Sequence, residues 1–141
     1  MARAGVTFVD LEFDTGTKGG ALLGDIASSL VSIDELLRDL ASIAADPSSV
    51  EFRDIEIVAI EMRSPLKIRL SLFGISPEAV TIFQEICRDI ILSRGRPPYL
   101  GALPDELHAR LSEQEAQRLR AHIVTLQNAA IPLKRIEVKD E

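Results

Sequence analysis

Residues 22–45 read LLGDIASSLVSIDELLRDLASIAA, and within them Leu23, Ile26, Leu30, Ile33, Leu37, Leu40 and Ala44 recur at alternating spacings of three and four. Such spacing puts all seven on one face of a helix. Leu22, Leu36 and Ile43 widen the apolar stripe on one flank, so it suits a sheet, or a sheet and a second helix, better than a narrow coiled-coil seam. Gly16, Gly19 and Gly20 mark the start and Asp46-Pro47-Ser48-Ser49 marks the end. Ser32, which interrupts the apolar spacing, is set on the solvent side.

Before this helix, Val6 to Phe13 alternates. Thr7, Val9, Leu11 and Phe13 share one side, and Val6, Phe8, Asp10 and Glu12 share the other. After it, Val50 to Met62 has strand character with Ile55 and Ile57 opposed to Glu56, Val58, Ile60 and Met62. Apolar residues on both sides predict an interior strand. Arg63-Ser64-Pro65 is a turn, and Leu66, Ile68, Leu70 and Leu72 then alternate with Lys67, Arg69 and Ser71. A hairpin follows, because three residues are too few for a parallel crossover.

Ser76-Pro77-Glu78 opens a second helix, with Ser76 as cap and Pro77 where a missing N–H costs nothing. Its apolar residues, including Val80, Phe83 and Ile90, cover more than half its circumference, which predicts burial on two sides. Arg94-Gly95-Arg96-Pro97-Pro98 ends it. A short helix is expected over residues 104–111. Ser112 and Glu115 then form a capping box for a helix with Ala116, Leu119, Ile123, Leu126 and Ala130 on one face. Leu133 to Val138 reads as the last strand, with Ile136 and Val138 inward.

This order predicts a single α+β domain over residues 1–141: a four-stranded antiparallel sheet in split βαβ, ferredoxin-like order, two main helices on one face, and an additional C-terminal helix. The opposite face would be covered by the extra helix or by a second subunit packed sheet to sheet.

Composition narrows the functional classes. The 141 residues are 46% hydrophobic and 27% charged, with a formal charge of −6, as expected of a folded globular chain. The acidic excess lies in residues 1–61, which carry 4 basic and 12 acidic side chains. That field repels a phosphate backbone and makes nucleic acid an unfavoured partner. The basic residues Arg88, Arg94 and Arg96 beside Tyr99 are the counter-signal. No membrane span and no secretory signal is expected, and with one cysteine no internal disulfide is possible; the location expected is cytoplasmic.

Chemistry has few candidates. Asp10 and Glu12 share one strand face, and Asp54 and Glu56 would join them if the second strand neighboured the first, making a site for Mg²⁺. Neutralising Asp10 and Glu12 is otherwise expected to leave stability unchanged or slightly raised. The stretch from Val9 to Asp25, an acidic strand, a glycine-bearing turn and Gly24-Asp25 entering a helix, resembles the opening of a nucleotidyl-cyclase palm domain. It departs from that family in lacking paired carboxylates at the Arg63-Ser64-Pro65 turn. Gly16, Thr17, Lys18, Gly19 and Gly20 offer amides and a cation to an anion, without the spacing of a P-loop. Cys87 sits among isoleucines as a structural thiol, and His108 and His122 stand on separate helices, so no catalytic residue is assigned.

Apolar width is the positive signal. The stripe through Leu23, Ile26, Leu30, Ile33, Leu37 and Leu40, and the one through Val80, Phe83 and Ile90, exceed what one sheet face covers. The expected function is a non-catalytic, self-associating interaction or assembly module without a cofactor. The alternative is a small-ligand or nucleotide-binding enzyme using Mg²⁺.

Overall fold

The structure is a computed structural model, and it describes residues 6–15, 23–43, 54–61, 66–92, 109, 111–129 and 131–140. Its elements are β1 (Val6–Phe13), α1 (Leu23–Ile43), β2 (Asp54–Glu61), β3 (Leu66–Phe73), α2 (Pro77–Leu92), α3 (Glu113–Gln127) and β4 (Leu133–Asp140). The four strands form one sheet in the order β2-β3-β1-β4, and every neighbouring pair is antiparallel. Among the described residues the fold is α+β, with a four-stranded antiparallel sheet and three helices. The turns around Gly16–Gly20 and Arg63–Pro65, the expected helix at 104–111 apart from residues 109 and 111, and Arg94, Arg96, Tyr99 and His108 lie outside the described residues.

Alternation in the two central strands decides which sheet face is dry. Thr7, Val9, Leu11 and Phe13 of β1 are buried, as are Leu66, Ile68, Leu70 and Leu72 of β3. They form one buried cluster with Leu133 and Ile136 of β4 and with residues of all three helices. A side chain on a strand faces opposite to its neighbours, so all three helices cover this one side. The extra helix does not cross to the other face. Leu119, Ile123 and Leu126 of α3 instead join α1 and α2 in the same layer.

In α1, Ile33, Leu36, Leu37 and Leu40 are fully buried, while Ile26 and Leu30 are partly buried against the core. Leu23 is 81% exposed at the first turn. Ser29 and Ser32 are buried as well, so Ser32 does not face solvent. The buried arc is therefore rotated toward Leu36, taking in the serines between the leucines.

The wide face of α2 is buried inside the chain: Ala79, Val80, Ile82, Phe83, Ile86, Cys87 and Ile90 are all covered. Its start is capped as the sequence indicates, with the Ala79 amide donating to Ser76 Oγ at 3.2 Å. Gly74, at φ 83°, turns the chain from β3 toward this helix, in a left-handed conformation that glycine adopts without Cβ strain. At α3 the Ser112 hydroxyl accepts from the Glu115 amide at 3.1 Å, and the Glu115 carboxylate accepts from the Ser112 amide at 2.9 Å.

The main departure from the sequence reading is β2, which is an edge strand rather than an interior one. Its register shifts between Ile57 and Ala59, so Val58 is the extra residue of a bulge. Beyond the bulge the alternation changes phase. Ile60 pairs with buried Ile68, on the helix side with Ile55 and Ile57, while Glu56 and Glu61 pair with Ser71 and Lys67 on the other face.

Candidate functional site

Two surfaces carry the residues that sequence chemistry singles out. The first is the sheet face turned away from the helices, a shallow trough of about 410 Å³ whose floor includes Asp10, Glu12, Lys67, Arg69, Glu137 and Lys139.

Strand pairing sets the trough's electrostatics. Asp10 lies directly across from Arg69 on β3 and from Glu137 on β4. Arg69 donates through Nε to Oδ1 at 2.6 Å and through Nη2 to Oδ2 at 3.0 Å, a two-pronged contact. Lys139 approaches the same carboxylate at 3.6 Å. The Arg69 hydrogen bonds, aided by the charges of Arg69 and Lys139, outweigh the opposing effect of burial and hold the Asp10 carboxyl below its ordinary value. Arg69 also lies 6.0 Å from the Phe8 ring centroid, which places an apolar wall beside the pair. Glu12 faces Lys67 at 3.7 Å, and Arg135 faces Glu137 at 3.8 Å.

The strand order sets where the four carboxylates grouped in the sequence stand relative to this ladder of alternating charges. Asp54 and Glu56 do not join Asp10 and Glu12, because β3 stands between β2 and β1. Two strand spacings, roughly 10 Å, separate the carboxylate pairs. Beside Asp10 stand the cations of Arg69 and Lys139. Among the described residues no three His, Cys, Asp or Glu side chains group as metal ligands. The Gly16, Thr17, Lys18, Gly19 and Gly20 turn lies outside the described residues.

The second surface is the outer edge of β2. Ile57 is 48% exposed, Val58 47% and Ile60 49%. The helix layer does not reach over this edge. Between α1 and β2 an open groove of about 220 Å³ is lined by Leu30, Val31, Ile33, Ile55, Ile57 and Leu70, with Val31 itself more than half exposed. Acid residues flank the apolar ones along the strand.

Of the core or interface residues expected from sequence, Ile33, Leu37, Leu40, Val80, Phe83 and Ile90 are buried within the chain. Ile26 and Leu30 pack at the margin, and Leu23 is exposed. None of these residues belongs to β2, whose Ile57, Val58 and Ile60 are each nearly half exposed. One polar pairing also escapes sequence reading: His122 of α3 stands between two α1 carboxylates, with Nε2 3.0 Å from Asp39 and Nδ1 3.5 Å from Glu35. The i, i+4 spacing of Glu35 and Asp39 shows that they share a helix face, but their partner 83 residues away in sequence from Asp39 is visible only once α1 and α3 pack.

Cys87 is fully buried, and burial alone pushes its thiol far up from the ordinary value, opposite to what a nucleophile requires. Among the described residues no helix is long and apolar enough to cross a membrane. Compared with known proteins by family model, by sequence and by fold, the chain matches none.

Proposed function

We propose that the chain is a non-catalytic interaction module that assembles with copies of itself through the free edge of its sheet. The observation that carries this reading is the row Ile57, Val58 and Ile60, each nearly half exposed on a strand paired on one side only among the described residues. An edge strand presents unpaired N–H and C=O groups, and edges are ordinarily blunted by bulges and charges because they recruit further strands. Here a bulge and two glutamates are present, yet the apolar row remains open.

The argument for association differs from the one drawn from helix stripes. The wide face of α2, from Ala79 to Ile90, is buried inside the chain, so it does not carry this reading. Exposed apolar side chains group instead at β2, in Ile57, Val58 and Ile60, and at Val31 over the adjoining groove.

The strand order β2-β3-β1-β4, with all pairs antiparallel and the helices on one side, supports reading the framework as the split βαβ, ferredoxin-like arrangement extended by α3. Such a framework hosts many unrelated functions, so the functional argument rests on the edge and not on the architecture.

Light scattering at micromolar concentration tests the proposal. The parent chain should give at least twice the monomer mass of 15.5 kDa, and Ile60→Lys should return it toward the monomer while its thermal unfolding stays close to the parent's. A parent chain that remains monomeric at high concentration defeats the reading.

A further inference from the structure

Building on that reading, we infer that the surface received by the β2 edge is the β4 edge of a second copy, joined head to tail.

Direction comes first. β2 and β1 both run antiparallel to β3, and β4 runs antiparallel to β1, so β2 and β4 run in opposite senses at the two ends of the sheet. A second copy set beside the first in the same orientation therefore brings its β4 antiparallel to β2. Both helix layers then stay on one side of a continuous sheet.

Side-chain chemistry selects a register. On β4, Leu133, Ile136 and Val138 face the helices, and Arg135 and Lys139 project from the open face with Glu137 between them. Placing Glu61 across from Arg135 puts Ile60 across from Ile136 and Ala59 across from Glu137. The bulge at Val58 then takes up one residue. Ile57 meets Val138 and Glu56 meets Lys139. Both glutamates receive cations, both isoleucines receive aliphatic partners, and the small Ala59 faces the one acid. The present neighbours of Arg135 and Lys139 do not compete strongly. Arg135 is 3.8 Å and Lys139 4.0 Å from Glu137, both side chains are at least half exposed, and Asp10 keeps Arg69 if Lys139 turns away.

The rival arrangement, β2 against β2 about a twofold axis, fails on charge. Bringing Ile57 across from Ile60 of the other copy sets Glu56 across from Glu61 twice, and like charges directly opposite weaken a ladder. A head-to-tail contact is also heterologous, so it does not stop at two subunits but continues until a ring closes or a filament grows.

Charge reversal by edge tests this. A β2 variant, Glu56→Lys with Glu61→Lys, and a β4 variant, Arg135→Glu with Lys139→Glu, should each scatter as monomers. Mixed in equal amounts after thermal melts confirm folding, the two should associate again to at least twice 15.5 kDa, because the lysines of the reversed β2 meet the glutamates of the reversed β4 while the intact β2 meets the intact β4, so both edges of each variant are complementary to the other. As a second measurement, Glu61→Cys with Arg135→Cys in one chain should give a ladder of cross-linked species on oxidation, since opposed Cβ atoms lie within disulfide reach. Buried Cys87 supplies no competing thiol in the folded chain. A parent assembly that survives the β4 reversal, with no cross-linked ladder, overturns the β4 assignment while self-association stands. A monomeric parent overturns both.

Discussion

Asp10 and Arg69 face each other across β1 and β3, joined by two hydrogen bonds of 2.6 and 3.0 Å. The pair lies on the open sheet face, with Lys139 closing on the same carboxylate from β4. Removing the charge of Asp10 therefore strands two cations instead of relieving repulsion between acids. Asp10→Asn should destabilise the fold by about 0.5–1 kcal/mol, the upper part of the range for solvent-touched ion pairs, measured by urea denaturation. Pairing holds the folded-state carboxyl below its ordinary value of 3.8. The contribution is thus fully present above that value and is lost as pH falls through the lower folded-state value. The difference between parent and Asp10→Asn should shrink on acidification below about pH 4.

Millimolar Mg²⁺ or Mn²⁺ should leave the melting temperature of the parent unchanged. β3 divides Asp54 and Glu56 from Asp10 and Glu12, and the two on β1 face arginine and lysine. A rise of several degrees that disappears in Asp10→Asn with Glu12→Gln would show that a metal displaces these cations.

Leu37 is fully buried and Leu30 only partly, although both belong to the same apolar stripe. Leu37→Ala should cost about 2–5 kcal/mol from lost transfer free energy and the cavity left behind, and Leu30→Ala distinctly less. The exposed Ser28 is the appropriate solvent-side control, and Ser28→Ala should stay within about 0.5 kcal/mol. Equal losses at Leu30 and Leu37 in chemical denaturation would contradict the rotated register of α1.

The Cys87 thiol should react slowly with a disulfide reagent in native buffer and rapidly once unfolded. Burial both blocks access and disfavours the thiolate. Rapid native labelling would place the sulfur in an accessible site.

Legibility in sequence followed the range of the forces involved. The faces of β1 and β3 were open to reading because strict alternation makes Val9 or Leu70 dry by local geometry. The caps at Ser76 and Ser112 were equally local, each decided within three residues. The position of β2 was not. A hairpin determines that β2 pairs with β3, but whether β1 adds beyond β2 or on the far side of β3 depends on crossovers far along the chain. Its apolar residues on both faces suggested an interior strand, because nothing local marks Val58 as the extra residue that moves Ile60 to the helix side. The acidic residues follow the same limit: Asp54 and Glu56 would stand beside Asp10 and Glu12 only if β2 neighboured β1, and β3 lies between the two strands. Ser32 showed the opposite limit, a polar residue whose burial follows from the rotation of α1 and not from its own chemistry.

Central β1 is the earliest of the four strands in the chain, and the partner on its far side, β4, is the latest, with Leu11 opposite Ile136. During synthesis its backbone groups on that side stay unpaired until the translation of residues 133–140 is complete, long after α1 and the β2–β3 hairpin have emerged. Such delayed, long-range pairing slows folding and exposes an aggregation-prone edge in the interval. A nascent chain released before residue 133 would carry β1, with Val9, Leu11 and Phe13, as a terminal strand, making β4 the segment whose arrival separates a vulnerable intermediate from a finished sheet.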